Sequence, residues 1–209
     1  GMRDLYGPDD PYLVRVINAR KIISRILDLF EEYGIAATWA VVGFLFAESH
    51  SDLQQYSPKI RPQYTRSSLN PYLENTGEGE WDDPLHYAHQ LIRHIQKRNR
   101  QEIGTHTFSH YYCLEEGQTR ETFAADLNSA LAIANKYGLQ IKSIVFPRNQ
   151  YNPNYDDILL RQGITCYRGN EQHPIYQETK HKTYNYPYKR LYRLLDSYVN
   201  LSGLHLTSW

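Results

Sequence analysis

Residues 102–110, with the sequence EIGTHTFSH, decide how the rest of this chain can be interpreted. They place two histidines, His106 and His110, four positions apart, directly after a short strand-like segment. Imidazoles at positions i and i+4 lie on one face of a helical turn, so both rings can reach a single divalent cation. Thr107 and Ser109 suit a tight turn at a strand end, because their hydroxyls can hydrogen-bond to nearby backbone groups. Since this spacing also occurs on solvated helix faces, the surrounding sequence must decide between the two interpretations.

Three stretches of the chain resemble motifs of one family. Residues 102–110 match a His-[Ser/Thr]-x-x-His motif with glycine two positions before the first histidine, and residues 34–43 match an Ala-Thr-aromatic strand. Residues 144–149 (IVFPRN) lie where that family carries an Arg and Pro motif. The family is the polysaccharide deacetylases, carbohydrate esterases that remove N- or O-acetyl groups from chitin-like, peptidoglycan-like and xylan-like sugars. The resemblance implies that His106 and His110 bind a metal and that Arg148 orients a catalytic carboxylate.

The third metal ligand is open. In the family it comes from a strand ending in Asp-Asp, whereas Asp9 and Asp10 lie in a Gly-Pro-Asp-Asp-Pro turn with no apolar run before them. Either that strand lies upstream of this sequence, with residues 3–11 as the following loop, or Asp9 or Asp10 supplies the ligand from a loop position. A catalytic zinc normally has three protein ligands. Activity of this chain therefore depends on a group beyond His106 and His110, and Asp10 is the candidate.

The C-terminal motifs also depart from the family pattern. The family closes with a Leu-x-x-His-like motif whose histidine is the general acid, and the nearest residue here is His205 in SGLHL. Residues 164–169 (ITCYRG) have neither the Asp nor the Trp that supports this histidine in better-known members. The resemblance thus makes His205 the candidate acid and describes a divergent or incomplete domain.

Composition limits the other functions. With 209 residues the chain fits one domain, assigned to residues 2–209. The 23 basic and 23 acidic side chains give a net charge of zero, which argues against a nucleic-acid or anionic-membrane partner. No apolar run is long enough to span a membrane, and no signal peptide is visible, which favours the cytoplasm. Two cysteines are too few for a disulfide framework, and Cys113 is expected to be buried and free. The 19 tyrosines suit sugar binding and core packing equally.

The periodicity predicts alternating helices and strands. Apolar spacing and capping residues predict helices over residues 13–33, 84–98, 119–137, 153–162 and 191–198. Strands are predicted over residues 36–42, 102–105, 141–146 and 164–167. The connection over residues 47–83 is either a functional insertion or a mobile segment, and His86 and His89 are expected on a solvated helix face. Alternation of this kind indicates an α/β fold with a parallel sheet. The family resemblance implies an irregular (β/α) barrel of about seven strands, here incomplete.

These inferences predict a metal-dependent hydrolase that removes acetyl groups from a carbohydrate. The metal expected from the resemblance is zinc, with cobalt, nickel or manganese as alternatives. Two other functions stay open: hydrolysis of C–N bonds in small cyclic amides, as in some relatives, and carbohydrate binding without turnover at a degenerate metal site. If the first strand is missing, its neighbour exposes an unpaired sheet edge, so we expect chains to pair into a homo-oligomer.

Overall fold

The computed structural model describes residues 12–169, 173, 175–176 and 187–203, and a four-stranded parallel sheet lies at its centre. The strands, in spatial order, are β1 (Ala37–Val41), β2 (Gln101–Thr105), β3 (Ser143–Ile144) and β4 (Cys166–Tyr167). The predicted α/β fold with a parallel sheet is confirmed. The described residues form an open sheet of four strands, so the closed barrel of about seven strands is not formed by them. The last two strands are shorter than predicted because the ladder pairs only two residues of each.

Six α-helices surround or follow the sheet in the described part of the chain. They are α1 (Tyr12–Glu32), α2 (His50–Tyr56), α3 (His89–Gln96), α4 (Arg120–Asn135), α5 (Asp156–Arg161) and α6 (Pro187–Asp196). Five of them correspond to predicted helices, and α2 was not predicted. None of the helices in the described ranges combines the length and hydropathy that a membrane span needs.

The start of α3 is five residues later than the sequence predicts. Asp83 was expected to cap a helix beginning at Pro84, but its carboxylate instead accepts from the backbone N–H groups of Gly77, at 2.9 Å, and of Leu85 and His86, at 3.2 Å each. These bonds close a turn, and the helix begins at His89. An aspartate that serves two turns at once is indistinguishable from a helix cap in the sequence.

Helices α1, α3 and α4 pack on one face of the sheet. Strand residues alternate between the two faces, and Ile103 and Ile144 belong to a buried cluster that also contains Leu27 from α1, Ile92 from α3 and Leu127 from α4. This cluster is the main hydrophobic core.

The opposite face of the sheet is polar. The hydroxyl of Thr38 donates to one carboxylate oxygen of Glu102 at 2.6 Å, and the hydroxyl of Ser143 donates to the other at 2.7 Å. Three neighbouring strands are therefore linked by side chains on this face, and α1, α3 and α4 cover the other.

The long connection after β1 is an ordered part of the fold. It contains α2, which Ser49 caps by accepting from the Asp52 N–H at 3.2 Å, and short 3₁₀ turns at Ser67–Leu69 and Pro71–Leu73. Before these turns, the Gln63 N–H donates to the Gly117 carbonyl at 2.7 Å. Gly117 has φ +91°, and a Cβ there would collide with the Gln63 backbone, so glycine allows the close approach. The connection thus packs against the segment that follows the paired histidines.

Candidate functional site

The candidate site lies where neighbouring strands end. The His106 N–H donates to the Val41 carbonyl at 2.8 Å, and the Val145 N–H donates to the Thr105 carbonyl at 3.0 Å. His106 is therefore the first residue past β2, at the carboxyl edge of the parallel sheet. Side chains that follow several strands converge at this edge, which is where α/β proteins place their active sites.

Residues 106–110 form an irregular loop, so the predicted helical turn is wrong. Thr107 has φ +65° and His110 has φ +59°, a left-handed conformation that L-residues rarely adopt. The two rings are nonetheless brought together, with 4.9 Å between their centroids and an interplanar angle of 68°. A loop with two left-handed residues thus achieves the proximity that a helical turn was expected to give.

Hydrogen bonding fixes the tautomer of His106. Its Nδ1 lies 2.7 Å from the Val145 carbonyl oxygen, which can only accept, so Nδ1 carries the proton and Nε2 keeps its lone pair. Burial lowers the pKa of His106 to about 4, and the nearby charge of Arg168 acts in the same direction. The ring is therefore neutral at pH 7, the form in which imidazole binds a metal.

His110 lies deeper and contacts an aromatic ring. Its side chain is buried, and its ring centroid is 5.1 Å from that of Tyr112. The guanidinium carbon of Arg148 lies 5.0 Å from the same Tyr112 ring centroid, within the range of a cation–π contact. Arg148 follows β3 in the 3₁₀ turn Pro147–Asn149, with φ +53°. Tyr112 thus joins the second histidine to the predicted acid-orienting arginine.

The connection between β1 and α3 supplies a wall beside this aromatic contact. The Tyr64 hydroxyl accepts from the Tyr112 N–H at 2.9 Å, and Tyr64, Leu69 and Tyr112 form a second buried cluster. The Thr65 N–H also donates to the Glu116 carbonyl at 3.2 Å. This connection therefore borders the candidate site, as expected of a functional insertion.

A fully buried carboxylate on α4 holds the loop of residues 106–110, which we call the histidine loop. Asp126 accepts from the Phe108 N–H at 2.7 Å, from the Ser109 N–H at 3.2 Å and from the Ser109 hydroxyl. Burial raises the pKa of Asp126 to about 7, and these three bonds work against that rise. Asp126 therefore belongs to the support of the site, although it lies 16 residues beyond His110 in the sequence.

The described residues supply two of the ligands that a metal would need. His106 and His110 fit the role because their rings lie close together and Nε2 of His106 keeps a lone pair that can bind a metal. Within the described ranges, however, no three His, Cys, Asp or Glu side chains form a group that could hold a metal ion. Asp10 and His205 lie outside the described residues. Cys113 is completely buried in the main core, as expected for a free structural cysteine.

The histidines before and in α3 lie against carboxylates, so the expected solvated helix face is wrong. His86 precedes the helix, and its two ring nitrogens lie 2.7 Å from Asp83 and 2.8 Å from Glu74. Nδ1 of His89 lies 2.9 Å from a carboxylate oxygen of Glu80. These contacts join parts of the long connection to one another and to α3.

Three contributors to the site were missed from the sequence: Asp126, Tyr64 and Arg168. Arg168 follows β4 and donates to the side-chain oxygen of Asn149, beside Arg148. Asp126 had a detectable signal, because it shares a helix face with Phe123, Leu127 and Ala130, all buried. A carboxylate on the apolar face of a helix needs a partner, whereas nothing in the local sequence marks Tyr64.

Comparison with known proteins gives one family match. The family model described as Polysaccharide deacetylase matches residues 9–167, and no curated protein matches the chain. The crystal structure of BA3943, a CE4 family pseudoenzyme from Bacillus anthracis, is 12% identical, with a TM-score of 0.46 over 73% of this chain and 39% of that one. The structure of IcaB from Ammonifex degensii is 14% identical, with a TM-score of 0.44 over 68% of this chain and 52% of that one. The chain thus covers less than two thirds of either protein.

Proposed function

The chain belongs to the polysaccharide deacetylase family, and from this premise we propose that it is a metal-dependent hydrolase that removes acetyl groups from a carbohydrate. The observation that carries the proposal is the pair of imidazoles at the carboxyl edge of the sheet. His106 and His110 lie 4.9 Å apart between ring centroids, and the Val145 carbonyl holds His106 in a metal-binding tautomer.

The proposed metal is a divalent cation, zinc by preference, with cobalt, nickel or manganese as alternatives. His106 and His110 would provide two nitrogen ligands, and Asp10 is the proposed third. A cation bound there supplies Lewis acidity for the acetyl carbonyl and makes water a stronger nucleophile near neutral pH.

The remaining proposed roles belong to side chains of this chain. Arg148 would hold the carboxylate that accepts the water proton, and its contact with Tyr112 supports this role because it keeps the guanidinium beside the second histidine. His205 would donate a proton to the leaving amine or alcohol. We also propose that the four strands form one side of an irregular (β/α) barrel of about seven strands, with residues 2–209 as a single domain.

A specific observation favours a second candidate function. Because no group of three potential ligands occurs within the described ranges, the chain could bind an acetylated carbohydrate without turning it over. Both candidates have the same partner, a carbohydrate, and they differ in whether acetate is released.

Acetate release tests the choice directly. The zinc-loaded chain would be incubated with N-acetylated chitin-like and O-acetylated xylan-like oligosaccharides, with and without a chelator. We expect release that is lost with the chelator and in His110→Ala, and kept in His50→Ala, which changes a histidine of α2 instead. Sugar binding by calorimetry without acetate release would contradict the hydrolase and support the binding function.

A further inference from the structure

Asp126 and the histidine loop are linked by an unusual concentration of hydrogen bonds. The side chain of Asp126 is fully buried, and both of its oxygens accept from residues 108 and 109, which lie between the two histidines. In the part of the chain that the structure describes, none of the ion pairs involves Asp126. A buried carboxylate with these partners is stabilised by the loop rather than by a cation.

The loop needs such support because of its backbone. Thr107 and His110 have φ +65° and +59°, and they flank the two residues that donate to Asp126. Left-handed conformations at non-glycine residues persist only where the surrounding structure holds them. The Thr107 hydroxyl adds a second restraint, because it donates to the His106 carbonyl at 2.6 Å and accepts from the Tyr111 N–H at 2.7 Å.

The strand side of the loop is fixed as well. The Gly43 N–H donates to the Thr107 carbonyl at 2.9 Å, and the Phe44 N–H donates to the Phe108 carbonyl at 3.1 Å. Carbonyl groups of the loop thus face the end of β1, and the N–H groups of Phe108 and Ser109 face α4. Asp126 is therefore the partner that satisfies the loop donors on the helix side.

We propose that Asp126 is a positioning residue of the metal site. It holds the backbone of the loop at Phe108 and Ser109, between the left-handed residues Thr107 and His110, so that the rings of His106 and His110 keep their mutual placement. The inference rests on the proposed function, since it takes the two histidines as metal ligands. The hydrogen bonds of Asp126 go to Phe108 and Ser109, so it acts on the two rings through the loop between them.

A purely structural role for Asp126 predicts a different result from a positioning role. If Asp126 only joins α4 to the loop, its substitution lowers stability and leaves the zinc affinity of the folded protein unchanged. If it positions the ligands, zinc affinity falls by more than in a core variant of equal stability. Asp126→Asn suits this test because the two loop N–H groups donate to different carboxylate oxygens, and an amide replaces one of these acceptors with an NH2 donor.

The control is Ile133→Val, two turns further along α4, because it removes one buried methylene and no hydrogen bond. Ser109→Ala is an intermediate variant, since it removes the hydroxyl donor and keeps both backbone donors. For the full chain, zinc dissociation constants would be measured by competition with a chromophoric chelator, and amide exchange at residues 108 and 109 by NMR.

Asp126→Asn should weaken zinc binding by about 10–100-fold, the usual effect of losing a group that orients a ligand, and should speed exchange at both amides. Ser109→Ala should weaken binding less, and Ile133→Val should keep the wild-type constant. Equal zinc affinity in wild type and Asp126→Asn would overturn the inference, and so would unchanged amide exchange.

Failure of the proposed function would look different. A wild-type chain that takes up no zinc rejects the metal site itself, and the exchange rates alone then decide whether Asp126 holds the loop. If Asp126→Asn yields no folded protein, Ser109→Ala decides: weaker zinc binding with faster exchange supports the inference, and wild-type values for both overturn it.

Discussion

Gly43 lies two residues after the end of β1, against the histidine loop, and its replacement by alanine should disturb the site. A Cβ on Gly43 would lie 2.7 Å from the Phe108 Cα and closer still to the Phe108 ring. Ordinary van der Waals contact begins at 3.4 Å, so the Phe108 backbone would have to move by the difference, 0.7 Å. Phe108 is completely buried, and its N–H donates to Asp126 at 2.7 Å, so the loop has little room to move.

The expected loss follows from these distances. Overpacking of a filled core costs about 1–3 kcal/mol, and a shift of the Phe108 backbone would also disturb its short hydrogen bond to Asp126. For a chain of this size, such a loss lowers Tm by roughly 2–12 °C. Urea unfolding and thermal melts of Gly43→Ala would measure both quantities.

Gly169→Ala is the matched control, because among the described residues a Cβ there meets only the Tyr167 ring, at 3.8 Å, and the glycine follows β4 at the same edge of the sheet. It should unfold like the wild type. A Gly43→Ala variant whose stability lies within about 0.5 kcal/mol of wild type, the usual range of a neutral surface change, would refute the close approach of β1 to the loop.

Two further substitutions test the hydrogen bond between Tyr64 and Tyr112 and the contacts of His86 with two carboxylates. Tyr64→Phe removes the acceptor of the buried Tyr112 N–H and should lower the free energy of unfolding by about 1–3 kcal/mol in urea titrations. An unchanged value would show that this hydrogen bond does not stabilise the fold. Burial lowers the pKa of His86, but its hydrogen bonds to two carboxylates outweigh burial and raise it. The stability it contributes is therefore complete below the unfolded pKa of about 6.5 and is lost as pH rises through the folded value. From about pH 6.5 upward the wild type should lose stability more steeply than His86→Gln, and equal slopes would contradict a raised pKa for His86.

The parts of the fold that depend on local pattern were predictable from the sequence. The apolar spacing and the glycine after α1 located that helix within one residue at each end. Thr119 caps α4 through a capping box with Thr122, a local arrangement that the sequence displays. The same holds for β1 and β2, whose bounds differ from the prediction by no more than one residue.

The conformation of the histidine loop could not be predicted in this way. The four-residue spacing suggested a helical turn, whereas Thr107 and His110 are left-handed because tertiary hydrogen bonds from α4 and the end of β1 hold the loop. The partner on α4, Asp126, is distant in sequence, and no local rule connects it to the loop. The start of α3 was missed for a similar reason, since the Asp83 carboxylate bonds to Gly77 as well as to the residues that follow it.

The role of the long connection after β1 also depended on tertiary contacts. Its composition, rich in Ser, Pro, Asn, Gly and Tyr, left two alternatives open, a functional insertion and a mobile segment. Contacts of Tyr64 with Tyr112, and of Gln63 with Gly117, make it an ordered neighbour of the site. Both contacts join residues about fifty positions apart, and hydrophobic periodicity in the sequence does not report contacts of this kind.

Zinc uptake by the full chain tests the central claim most directly. Metal content would be measured after loading and removal of free zinc, for the wild type and for His106→Ala. The proposed site predicts close to one zinc ion per wild-type chain and almost none in His106→Ala, because loss of either imidazole leaves too few ligands. No uptake by the wild type, or equal uptake by the variant, would contradict a metal site at His106 and His110.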